Sequence, residues 1–220
     1  MLAYLACVEQ TASAFAQFGL PRSGLYAVAA WLAHGVGGNL KCIEGGWIDQ
    51  IDAGKLVTIE AVRPEFVIEG LARCRSLGGV GFIQLRDPYN WLASLDEGLA
   101  TRAVVWKGTD PPLHRWLQYA QLCRSEEWLD YHRWFADAEY RRTCAERFAF
   151  QQNRDGAPWQ GVPKRGGGSS FDGTQFAGRA DEMKVGERWR RFENDARWRA
   201  QFDDEIVSLT RELFGMERPW

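Results

Sequence analysis

Arg22, Ser23 and Gly24 are the residues whose types and spacing most directly suggest chemistry. They lie in Gly19-Leu20-Pro21-Arg22-Ser23-Gly24-Leu25-Tyr26, between an apolar stretch (Ala14 to Phe18) and a run in which Leu25, Val28, Ala29 and Leu32 fall at i, i+3, i+4 and i+7. A strand, a glycine-bounded loop and a helix start in succession form an anion cradle. The leading helix amides lack carbonyl partners, and the macrodipole favours negative charge there. Gly19 and Gly24 have the four-residue separation of a Walker loop. The Lys-Ser/Thr pair that completes such a loop is replaced by Leu25 and Tyr26. The usual cation for the outer phosphates and the usual magnesium hydroxyl are therefore both missing. The cation stands inside the loop instead, at Arg22. The pattern predicts a phosphate-bearing ligand and disfavours a magnesium-dependent nucleotide hydrolase.

A second constellation pairs Arg86 with Ser94. Val80 to Arg86 reads as a buried strand running into Asp87-Pro88, a good N-cap followed by a good first helical residue. Leu92, Leu95 and Leu99 mark the buried face of that helix. Arg86 thus sits at the carboxyl end of a strand, where open α/β sheets hold their ligands. It offers a bidentate fork to a phosphate, and Ser94 adds a hydroxyl. A third basic site is Lys164-Arg165 before Gly166-Gly167-Gly168, where cations and backbone amides can close on an anion together.

Loop and strand–helix together resemble the sulfotransferases that use 3'-phosphoadenosine 5'-phosphosulfate (PAPS). Gly19 to Gly24 resembles their 5'-phosphosulfate loop, which usually continues with two threonines where this chain has Leu25 and Tyr26. Arg86 with Ser94 resembles their 3'-phosphate pair. Tyr131 to Arg142 is similar to a strand-turn-helix of bacterial members, and Arg188 to Phe192 with the helix after it is similar to their C-terminal segment. The resemblance runs from about residue 13 to 215. It implies a P-loop-like α/β fold and transfer of a sulfuryl group from PAPS to a hydroxyl or amine. Pro21, Arg22, Ser23, Gly24, Leu25, Tyr26, Arg86 and Ser94 would hold the co-substrate, and Lys164, Arg165 and Gly166 would fold over its 3'-phosphate. No metal is expected. A catalytically silent relative that binds a nucleotide or a partner is the alternative, since Leu25 and Tyr26 supply amides but not the family hydroxyls. A small-molecule kinase is a third possibility, opposed by the missing Lys-Ser/Thr.

Transfer also needs a base for the acceptor proton. Glu44 ends a short strand before Gly45-Gly46, at about the distance from the loop where some Golgi-type members carry their catalytic Glu. His34 competes, with an ordinary pKa of about 6.5, although the first helix carries it away from the phosphate end. Glu60, at the end of the next strand, is a third candidate. Arg22 is expected beside the bridging oxygen of the leaving phosphate. Trp47 and Trp106 are candidates to line an acceptor pocket. Carbohydrate, peptide tyrosine, lipid and small natural product remain open as acceptors, and so does the oligomeric state.

The elements that must position these residues alternate. Strands are expected near 13–18, 40–44, 56–60, 79–85 and 128–132, with helices over 23–34, 64–77, 88–100, 112–126, 137–149 and 200–215. That alternation predicts a three-layer α/β sandwich, its mainly parallel sheet flanked by helices, in one domain over residues 1–220. Residues 150–180 read as a long Gly-rich loop. The net charge of −2 argues against nucleic acid as the main partner. The five cysteines are dispersed and the three histidines lack ligand spacing, so a disulfide frame and a zinc site are both disfavoured. With no membrane-spanning run and no signal-like N-terminus, the expected location is the cytoplasm.

Overall fold

The computed structural model describes residues 14–35, 41–44 (backbone only), 46–60, 63–101, 105–106, 109–148, 156–157, 160–162, 169 and 171–220. Five strands are present: β1 (Ala14–Gly19), β2 (Lys41–Glu44), β3 (Lys55–Glu60), β4 (Val80–Leu85) and β5 (Trp128–Asp130). They form one sheet in the order β2-β3-β1-β4-β5, and every neighbouring pair is parallel. The crossovers are α1 (Leu25–Gly35) between β1 and β2, α2 (Pro64–Ser76) between β3 and β4, and α3 (Pro88–Ala100) with α4 (Pro112–Leu122) between β4 and β5, while β2 reaches β3 through a short 3-10 turn, Ile48–Gln50.

Side-chain alternation along the strands divides the interior into two layers. Ala14, Ala16 and Phe18 of β1 face one core, where Val67 and Leu71 of α2 and Trp91 and Leu95 of α3 pack. Phe15 faces the other, with Leu56 and Phe82 of the neighbouring strands and Val28, Trp31 and Leu32 of α1. The result is the expected three-layer α/β sandwich around a parallel sheet. No described helix is long and apolar enough to cross a membrane. Cys74, Cys123 and Cys144 are buried thiols outside any disulfide.

Several boundaries differ from expectation for local reasons. The strand near 128–132 ends at Asp130, because Asp130 caps a new helix. Its Oδ1 accepts from the amides of His132 (2.8 Å) and Arg133 (3.2 Å), which starts α5 (Tyr131–Ala136). Asp137 repeats the device for α6 (Ala138–Arg147). The expected 200–215 helix is shorter, α8 (Asp204–Phe214), capped by Asp203 and closed by Gly215 at φ 65°. Ahead of it come the short α7 (Ala196–Arg199) and a 3-10 segment, Val185–Phe192, which packs on α3.

Candidate functional site

The loop after β1 is held in an unusual backbone shape. Arg22 has φ 64° and Gly24 φ 86°, two left-handed residues at alternate positions. Such alternation turns successive amides to one side and forms an anion-binding concavity. Ser23 N donates to Leu20 O (3.2 Å), while Ala27 N and Val28 N both take Gly24 O. The amides of Gly24 and Leu25 are left at the start of α1 without a backbone acceptor. Only glycine fits at 24, since a Cβ there would lie 2.1 Å from the Tyr131 ring. Leu25 seats its side chain on Gly19, where an added Cβ would meet Leu25 Cδ2 at 3.0 Å. The Leu25 side chain therefore belongs to the core, not to the loop mouth.

Arg86 comes to the same loop from the end of β4. Its Nη1 donates to Ser94 Oγ (3.0 Å) and to the Arg22 carbonyl (3.4 Å), and its Nη2 to the Val185 carbonyl (2.5 Å). Its Nε is buried without a partner, and its Cζ lies 5.4 Å from the Tyr131 ring centroid. Burial pulls the guanidinium below its ordinary pKa, opposed by the Tyr131 phenol and Asp87. Arg22 is likewise lowered by burial and supported by Glu60.

The 185–192 segment closes the site from the other side. Arg188 N donates to Asn90 Oδ1 (2.7 Å), and Asn90 is fixed in turn by Asp87 Oδ1. The Arg188 guanidinium pairs with Asp172 and lies 4.5 Å from the Phe171 ring. Arg22, Arg86 and Arg188 are close enough to perturb the Tyr131 hydroxyl together. Asp87 also meets His132, Oδ2 to Nδ1, at 3.4 Å. The hydrogen bond to Asp87 raises the His132 pKa against the effect of burial. For Asp87 the order is reversed. Burial pushes it up, but the His132 bond and Arg86 together hold it below the usual carboxylate range.

The expected residues are distributed as follows. Pro21 O accepts from Trp91 Nε1 (2.7 Å), Ser23 Oγ is buried without a partner, and Tyr26 is half-buried in the first turn of α1. Pro21, Arg22, Ser23, Gly24, Arg86 and Ser94 are therefore brought together. His34 is not. It is exposed in the last turn of α1, nine residues past Leu25, which is about 13 Å along the axis at the usual rise per residue. Glu44 ends β2 opposite Thr58, one strand beyond β3, and its side chain lies outside the described residues. Glu60 is nearer the loop, because β3 borders β1 and their register sets Glu60 opposite Gly19. Lys164, Arg165 and Gly166 lie outside the described residues. Trp47 is 71% exposed after β2, whereas Trp106 packs edge-on against buried Trp91 and is part of the interior. Arg188, Tyr131, Asp87 and His132 were not singled out as site residues. The signals for them in the sequence are the Asp-Pro cap at Asp87 and the two family-like stretches that contain Tyr131, His132 and Arg188.

No family model, curated protein or solved structure matched this chain on comparison.

Beside the loop, on the α1 and α5 side, is a shallow depression with room for little more than a water molecule. Ala27, Tyr131, Trp134, Phe135, Ala180 and Met183 line it. Trp134 Nε1 is buried without an acceptor. No described group of three or more His, Cys, Asp or Glu side chains could hold a metal.

Proposed function

We propose that this protein is a PAPS-dependent sulfotransferase, moving a sulfuryl group to a hydroxyl or amine acceptor. The observation that carries the proposal is the Arg86 guanidinium, which bonds both Ser94 Oγ and the carbonyl of Arg22. Two candidate anion-binding elements far apart in sequence thereby meet at the carboxyl ends of the central strands β1 and β4, within reach of one doubly charged nucleotide.

In this reading we assign the two reactants by strand order. The nucleoside takes the β4–β5 side of the loop and the acceptor takes the β3–β2 side. Glu60, opposite Gly19 and next to Arg22, is then the better base than Glu44. It takes the acceptor proton as the acceptor oxygen or nitrogen bonds to sulfur. The bond from sulfur to the bridging phosphate oxygen breaks, and Arg22 with the loop amides neutralises the charge left on that oxygen. The buried reduced thiols are compatible with a cytoplasmic location.

A silent nucleotide-binding relative is the second reading. Leu25 is committed to the core, Arg188 is paired with Asp172, and Arg86 is engaged by Val185 O. Calorimetry with adenosine 3',5'-bisphosphate followed by a sulfuryl-transfer assay separates the readings. An enzyme binds and turns over; a silent relative binds only. Failure to bind would reject both. Glu60→Gln should reduce turnover at least about 100-fold with nucleotide affinity unchanged, the scale of general-base catalysis. Equal turnover in Glu60→Gln and a large loss in Glu44→Gln would move the base to β2.

A further inference from the structure

Gln17, Thr58 and Gln84 interrupt the middle strands of a sheet covered on both faces, where apolar runs are the rule. All three side chains are essentially inaccessible to solvent. Burying them is tolerable only if their bonds are made, and the bonds form a directed chain. Thr58 Oγ1 donates to Gln17 Oε1 (3.3 Å), and Gln17 Nε2 donates to Gln84 Oε1 and to the Leu25 carbonyl (3.2 Å). Gln84 Nε2 donates to the Ser23 carbonyl (2.7 Å). The chain therefore ends on the two loop carbonyls that flank Gly24.

A trans peptide is planar, with its C=O and N–H pointing in opposite directions. Drawing the Ser23 and Leu25 carbonyls onto the glutamines directs the Gly24 and Tyr26 amides the other way. We infer that Gln17 and Gln84 are positioning residues that set the 5'-phosphate-binding geometry of the 19–26 loop through its carbonyls, touching no ligand themselves. The ligand side of this inference rests on the sulfotransferase reading. The backbone side rests on the hydrogen bonds alone. It also accounts for the left-handed Arg22, since a loop tied at Ser23 and Leu25 is not free to relax.

The test is Gln84→Met, which keeps the length and loses the donors, with Thr210→Val on α8 as a control that removes a buried hydrogen bond elsewhere. Adenosine 3',5'-bisphosphate and adenosine 3'-monophosphate are titrated into each protein. Gln84→Met should weaken the bisphosphate about 10-fold, the loss of roughly one charge-assisted hydrogen bond. The 3'-monophosphate, which does not use the loop, should change less than about 2-fold by the same reasoning. Equal loss for both ligands, or none for either, overturns the inference. In the free protein, exchange of the Ser23, Ala27 and Val28 amides, which bond Leu20 O and Gly24 O and hold the loop, should quicken in Gln84→Met and not in Thr210→Val; unchanged exchange overturns it even if the wild type binds no nucleotide. If Gln84→Met does not fold, Gln17→Met undergoes the same measurements with the same expected outcome.

Discussion

Arg22 combines a backbone function with a side-chain function, and the two can be separated. Its φ of 64° carries the strain of an L-residue in the left-handed region, roughly 1–2 kcal/mol. Arg22→Ala and Arg22→Gly both remove the guanidinium, but only glycine adopts this φ without strain. Arg22→Gly should therefore be more stable than Arg22→Ala by about 1 kcal/mol in urea unfolding, while under the sulfotransferase proposal both lose sulfuryl transfer alike. Equal stability would mean that the loop does not hold residue 22 left-handed in solution. The anion chemistry of Arg22 could be read from its neighbours in the chain. Its left-handed backbone could not, because the loop that holds it is tied to residues far along the chain, Gln84 bonding the Ser23 carbonyl 61 positions back.

At the scale of elements, Asp87 and His132 tie the β4–α3 junction to the β5–α5 junction, and His132 abuts Gly186 of the 185–192 segment. His132 is faced by Asp87, Arg86 and Asp130. Its raised pKa means that the pair's stabilisation is fully present below the ordinary histidine value of about 6.5 and is lost as pH rises through the raised value. Burial pushes the Asp130 carboxyl up to about 6. That second group removes stability as pH rises from the ordinary aspartate value of about 3.9 towards 6. The melting temperature should therefore fall between pH 6 and pH 9, and His132→Gln should abolish most of that fall. A His132→Gln protein with the wild-type slope would show that the junction does not titrate. Asp87 was legible in the sequence as an N-cap, since Asp-Pro after a strand is a local signal. Its bond to His132 was not, because the partners lie 45 residues apart, just past the ends of two neighbouring strands.

Across the whole molecule, Trp220 closes an aromatic cluster on the α3 side of the sheet. Trp220 meets the rings of Tyr89 (5.2 Å), Trp198 (5.5 Å) and Phe202 (5.4 Å). Trp220→Ala should destabilise by about 2 kcal/mol, below the range for a fully buried tryptophan because Trp220 is half-buried. The urea midpoint should drop with the m-value unchanged; a midpoint within error of wild type would mean the tail is not docked.

The sequence by itself determined the α/β class, the places of the five strands, the glycine-bounded loop and the Asp87 cap. Each depends on two-residue or 3.6-residue periodicity, or on capping within one turn, and those preferences act over a few neighbouring residues. Only the tertiary structure decided the strand order, and with it which carboxylate stands beside the loop. Glu44 comes sooner after the loop along the chain, but β3 lies between β2 and β1, so Glu60 is nearer in space. The convergence of Arg188 on Arg22 and Arg86 belongs to the same class. Such contacts depend on how separate elements pack, and no spacing within either element encodes them.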